Sequence, residues 1–140
     1  MLRALFICVV LTTACASGAE PAPAPVATDP DSTAAQTEAI AWLALVDAGQ
    51  WQASLDRAAP LLRQMTGTAQ QWAEFVQGSR ARYPVGERRL VRWEPDYDAP
   101  GAPPGDYARL AFASGAGTTE TIVLVRTDAG WRVAMYGLGG

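Results

Sequence analysis

Few side chains in this sequence are equipped for chemistry. Glu120 stands in a run of strand-forming residues, and on a two-face reading it shares a side with Ile122 and Leu124. A half-buried carboxylate there can pair with Arg132 on a neighbouring strand, or face a cavity as an acid of raised pKa. Combined with Tyr107 or Tyr136 it would supply the acid and phenol of cone-shaped isomerases. Trp72, Tyr107, Glu120, Trp131, Arg132 and Tyr136 are therefore the candidates for a pocket. The competing reading is that these aromatics, with Trp42, Trp51 and Trp93, fill a core. No spacing fixes a catalytic geometry, and no catalytic residue is assigned.

Absent residue types narrow the chemistry further. All 11 basic residues are arginine, and the chain has no His, Lys or Asn. Without His there is no usual general base, no commonest metal ligand and no Ser/His/Asp or Cys/His catalysis. Without Lys there is neither Schiff-base chemistry nor a P-loop lysine. Asp96-Tyr97-Asp98 begins like a calcium loop, but Pro100 takes the third ligand position and no Glu follows at the twelfth. Neither metal nor cofactor is expected. A formal net charge of -3 argues against nucleic acid, which is bound by neutralising phosphates. Arg80, Arg82, Arg88, Arg89 and Arg92 crowd together, opposed locally by Glu87, and Glu94, Asp96, Asp98 and Asp106 follow. They form either a patch for an anionic partner, such as lipid head groups or cell-wall polymer, or a solvated face neutralised by those acids.

The elements that must hold these groups fall into two halves. Thr33-Ala34-Ala35-Gln36 has the capping-box pattern and opens a helix to about Ala48, stopped by Gly49; its all-round apolarity implies deep burial. Trp51 to Met65 reads as a second helix divided or kinked at Pro60, which lacks the N–H that would bond the carbonyl of Asp56. Thr68-Ala69-Gln70-Gln71 is another capping box, opening a third helix with Trp72, Phe75 and Val76. After Pro84-Val85-Gly86 come four strands: Arg89 to Glu94, Tyr107 to Ser114, Thr119 to Arg126 and Trp131 to Leu138. A proline-rich loop, Pro95 to Gly105, separates the first two, and Gly-containing turns join the rest. The pattern predicts an α+β fold, with N-terminal helices packed on one face of a four-stranded antiparallel meander.

Residues 1–14 read as an export signal: Arg3, then the apolar stretch Ala4 to Leu11, too short for a bilayer span of about 20 residues. Leu11-Thr12-Thr13-Ala14-Cys15 resembles the lipobox of bacterial lipoproteins. The resemblance implies cleavage after Ala14 and lipidation of Cys15; the alternative is an ordinary secretory signal cut after Ala19, leaving a soluble periplasmic protein. Cysteine usage favours the lipobox. Cys8 lies within the signal, so the mature chain would keep one thiol, at its first position, which acylation would consume. Residues 15–31 then form an Ala/Pro tether of extended character, and residues 32–140 a single domain. Ala16, being other than Asp, would under the usual sorting rule direct the lipoprotein to the outer membrane, facing the periplasm.

From about residue 38 onward the chain resembles a bacterial family of exported or membrane-attached proteins, the domain-of-unknown-function 4019 family. The resemblance is carried by Trp42, Asp47-Ala48-Gly49, Trp51, Ser54, Trp72, Arg82 to Gly86 with Arg88 or Arg89, Pro100 to Tyr107, Glu120-Thr121, Gly130 to Val133 and Tyr136. Leu55, where the family tends to have Trp, and Met135, where Gly is common, depart from it. It implies a cystatin-like or nuclear-transport-factor-like helix and curved sheet, and no assigned activity. The expectation is a non-catalytic envelope lipoprotein that binds a partner protein or an anionic envelope component. The alternative is a small-molecule-binding cone pocket, either a binding module or a weak isomerase-like enzyme.

Overall fold

The computed structural model describes residues 29–140 other than residue 116. The expected anchor at Cys15, its cleavage site and most of the tether lie outside that range. Four helices precede four strands: α1 (Pro30–Asp47), α2 (Trp51–Arg57), α3 (Pro60–Thr66), α4 (Ala69–Arg82), β1 (Arg88–Glu94), β2 (Tyr107–Ser114), β3 (Thr118–Thr127) and β4 (Gly130–Gly139). The strands form one antiparallel sheet in sequence order, a meander. The α+β reading holds.

Helix α1 starts ahead of the Thr33 box. Asp29 caps it, accepting a hydrogen bond from the Ser32 amide, and Pro30 occupies the first turn, where a missing N–H costs nothing. Its burial is one-sided: Ala35, Ala39, Trp42, Leu43 and Val46 face the core, whereas Ile40 is 50% exposed. The Trp51–Met65 segment resolves into two short helices, because Pro60 cannot continue α2 but is well suited to begin α3. At α4 the reciprocal capping box forms between Thr68 and Gln71.

The main core lies between helices and sheet. Trp42, Leu43, Trp72 and Val76 meet Ala108, Leu110, Phe112, Ile122, Leu124 and Val133. Strand alternation puts these sheet residues on one face. The other face is not left wholly to solvent. The proline-rich loop folds over one end of it, where Ala99, Tyr107, Val123 and Ala134 form a second, smaller cluster. The amide of Tyr97 donates to the Tyr107 carbonyl, and the Tyr107 hydroxyl donates to the Pro103 carbonyl at 2.9 Å. The α2–α3 junction covers part of the β4 edge, the Ala59 amide donating to the Val133 carbonyl at 2.8 Å. No described helix is long and apolar enough to cross a membrane.

Candidate functional site

Where the C-terminal ends of α1 and α4 meet the helix-facing side of the sheet, five polar side chains converge: Asp47, Arg80, Arg88, Glu120 and Tyr136. Each arrives by a local rule. Glu120 lies on β3 opposite Phe112 and Leu138, so alternation turns it toward the helices with Ile122 and Leu124. Arg88 opens β1. Its approach is set by a close packing of Gly86 against Gly115: a Cβ on Gly115 would lie 3.3 Å from the Pro84 carbonyl oxygen, and φ there is +58°. The Ser114 hydroxyl accepts from the Gly86 amide at 2.9 Å and ties the same loop to β2. Arg80 sits in the last turn of α4, where a cation suits the helix dipole. Asp47 is the last residue of α1, where a carboxylate opposes the dipole and calls for a cation.

Two arginines meet two carboxylates. Arg88 donates from both Nη atoms to Asp47, at 2.6 and 2.9 Å, and from Nε to Glu120. Its Nη2 also reaches Glu120 Oε1 at 3.3 Å. Arg80 Nη2 lies 2.8 Å from Asp47 Oδ1 and 3.6 Å from Glu120 Oε1. Its Nε and Nη2 nonetheless lack an aligned hydrogen-bond acceptor, so its attraction to the cluster is coulombic more than directional. The Tyr136 hydroxyl donates to Glu120 Oε1 at 2.7 Å. Glu120 has no exposed surface, and both its oxygens are engaged.

Protonation follows from this packing. Burial, then the adjacent Glu120 charge, push the Tyr136 phenol well above its ordinary value, so it is a neutral donor at physiological pH. Burial alone would raise Asp47, but the bonds and charges of Arg88 and Arg80 outweigh it and hold the carboxyl below its usual range. The formal charges of Asp47, Glu120, Arg80 and Arg88 cancel.

Tyr136 also joins the polar cluster to an aromatic one. Its ring lies 5.6 Å from Trp42 and 5.6 Å from Trp72, which are 5.8 Å apart. Ser54, fully buried on α2, links the two tryptophans: its carbonyl accepts from Trp42 Nε1 at 2.8 Å and its hydroxyl from Trp72 Nε1 at 3.0 Å. The space between helices and sheet at this end is therefore filled by side chains. The nearest openings are grooves at the surface. One of about 360 Å³ runs between α1 and β1 over Ile40, Leu43, Leu90 and Phe112, with Asp47 and Arg88 at its end. Another, of about 190 Å³, lies over Trp72 and Tyr136 beneath Met65 and Phe75. Among the described residues no three His, Cys, Asp or Glu side chains are grouped to hold a metal.

The pocket candidates are split by the structure. Trp72, Glu120 and Tyr136 come together. Trp131 lies farther along the sheet, edge-on to Trp93 at 6.3 Å and beneath the Arg126 guanidinium at 4.3 Å. Tyr107 belongs to the opposite face. Arg132 is not the partner of Glu120: register puts it opposite Val125, and it lies 3.5 Å from Glu38, which also holds Arg57 in a two-bonded fork. The five-arginine run divides as well. Arg80 and Arg88 are drawn into the cluster by Asp47 and Glu120, whereas Arg82, Arg89 and Arg92 are exposed. Glu94 pairs with Arg109 instead. Asp47 and Ser54 were not among the site candidates; the signal available for Asp47 was an acid at the C-terminal end of an apolar helix.

A family model for "Protein of unknown function (DUF4019)" matches residues 38–136, well over half the chain. The chain belongs to that family. The matched span of this DUF4019 domain holds all five residues of the cluster and ends on Tyr136. No curated protein and no solved structure matches it.

Proposed function

We propose that this DUF4019 protein is an envelope lipoprotein, held at a membrane through a lipidated Cys15 and an Ala/Pro tether, whose domain binds and does not catalyse. The observation that carries the second half of this reading is the saturation of Glu120. The best-placed acid of the domain has both oxygens bonded and is closed off from solvent, and the neighbouring phenol is spent on the same carboxylate. A general acid or base needs a substrate atom within hydrogen-bond reach, and this one faces its own side chains. Partner binding has material to work with at the surface, in exposed Ile40, Met65 and Phe75 and in exposed Arg89 and Arg92 of β1. The groove between α1 and β1 supports a second reading, a small-molecule site with an apolar floor and a charged end.

Cys15→Ser tests the anchor. The expected outcome is loss of the lipid mass increment together with either accumulation of uncleaved precursor or release from the membrane fraction. Unchanged mass and fractionation would remove the tethered reading. Crosslinking of the membrane-held protein in its native envelope separates the two kinds of binding: a covalent adduct with a macromolecule is expected for the first, and thermal stabilisation by a small molecule, abolished by Ile40→Trp at the exposed side of the groove, for the second.

A further inference from the structure

On the sheet face turned from the helices, the register builds two equivalent rows. Arg92, Ala111, Thr121 and Gly137 lie side by side across β1 to β4, and Arg89, Ala113, Thr119 and Gly139 form the next row on that face. The rows stand two residues apart along β2, about 7 Å at the usual strand rise. They repeat the same order: a cation at the β1 edge, a methyl, a hydroxyl, then a bare backbone. The floor is low because of the Ala and Gly positions, and a Cβ on Gly137 or Gly139 would meet no atom within 4 Å. A basin of about 370 Å³ opens here, lined by Val91, Arg92, Arg109, Ala111, Thr119 and Thr121. Arg109, stacked 4.7 Å over the Tyr97 ring and bonded to Glu94, marks its end toward the proline-rich loop.

Among the described residues, Arg89 and Arg92 have no carboxylate within ion-pair distance, although the chain as a whole is acidic. A bulge between Leu90 and Arg92 pushes Val91 out to 42% exposure beside them. From these features we infer that the face binds an anionic saccharide, with phosphate or carboxylate groups on the forks of Arg89 and Arg92, one in each row. The ring hydroxyls meet Thr119 and Thr121, and an apolar ring face lies on Val91 and Ala111. A neutral sugar leaves the arginines unused. A flat lipid surface does not enter a recess floored by Ala111 between longer side chains. The inference rests on the binding reading above and names its partner.

The test uses the full chain in detergent, with polygalacturonate as the carboxylated saccharide, neutral dextran, polyphosphate and glycerophosphoglycerol, the soluble head group of phosphatidylglycerol, as separate arms. Binding to polygalacturonate is expected to exceed that to the other three and to weaken as added salt shortens the screening length. Arg89→Gln with Arg92→Gln is expected to reduce it at least about tenfold. Thr119→Val with Thr121→Val, which keeps strand propensity, is expected to reduce it roughly two- to fivefold. Arg63→Gln, an exposed arginine on α3, is expected to change nothing. Equal binding to polyphosphate or to the head group, absence of binding, or binding that survives both double variants would overturn the inference. Crosslinking to another envelope partner with these variants unaffected would overturn it while leaving the tethered-binding reading in place; failure of the Cys15→Ser experiment would do the reverse.

Discussion

Glu120 is the residue on which the interior depends. Two guanidiniums and a phenol converge on a carboxylate with no exposed surface, and breaking a buried pair leaves its partners uncompensated. Glu120→Gln is expected to destabilise the domain by about 3–5 kcal/mol in urea unfolding. Replacing the group as a whole, with Asp47→Ala, Glu120→Leu, Arg80→Met, Arg88→Met and Tyr136→Phe together, is expected to recover most of that loss, since a well-packed apolar replacement needs no desolvation of charge. Failure of the combined variant to recover would mean that the ions specify the arrangement of α1, α4 and β1 rather than merely occupying it. Asp47 carries the pH dependence. Its folded carboxyl titrates below the ordinary value of 3.8, so its ionised form contributes stability above that value, and the contribution fades as pH falls through and below it. At 40% exposure the effect is reduced by solvent screening. The urea midpoint is expected to drop between about pH 5 and pH 2, and less steeply in Asp47→Asn; equal slopes would take Asp47 out of the acid transition.

At the scale of elements, the second half of the chain was the more legible. Period-two patterns of Val, Ile, Thr and aromatics, broken by glycine turns, mark all four strands to within a residue or two, and the order of β2, β3 and β4 follows from turns too short for a crossover. The Pro60 break and the Thr68 cap could also be read directly, because both act on their own backbone. Thr68→Ala is expected to cost about 1 kcal/mol, measured by thermal or urea unfolding, as it removes one half of a reciprocal cap. The start of α1 was less legible: Thr33 and Gln36 offer a capping pattern, but Asp29 with Pro30 offers another a turn earlier, and propensity alone does not rank them. Least legible was the site. The pairing of Glu120 depends on the β1–β2–β3 register and on where α1 and α4 end, both set by long-range packing. Arg88 lies 32 residues from Glu120 and 41 from Asp47. From sequence, Arg132 is as good a partner as Arg88; only register separates them.

At the scale of the whole molecule, α1 is both the entry to the domain and one of its walls. It begins at Pro30, within the last two residues of the segment expected to serve as tether. Near that end Asp31 pairs with Arg126 at 2.8 Å, and at the other end Asp47 is gripped by Arg80 and Arg88. Tension arriving through the preceding chain therefore meets a helix fastened to the sheet at both extremities, with Trp42, Leu43 and Val46 embedded between. The near fastening is exposed on both sides and weak, with side chains 41% and 61% accessible; the far one joins α1 and α4 to β1 and, through Glu120, to the middle of the sheet. Under a pull along that chain the exposed Asp31–Arg126 pair is expected to yield before the partly buried grip on Asp47. If the proposed tether carries tension, this arrangement directs it first into the weaker, exposed end of α1 and last into the sheet that bears the surface of β1 to β4.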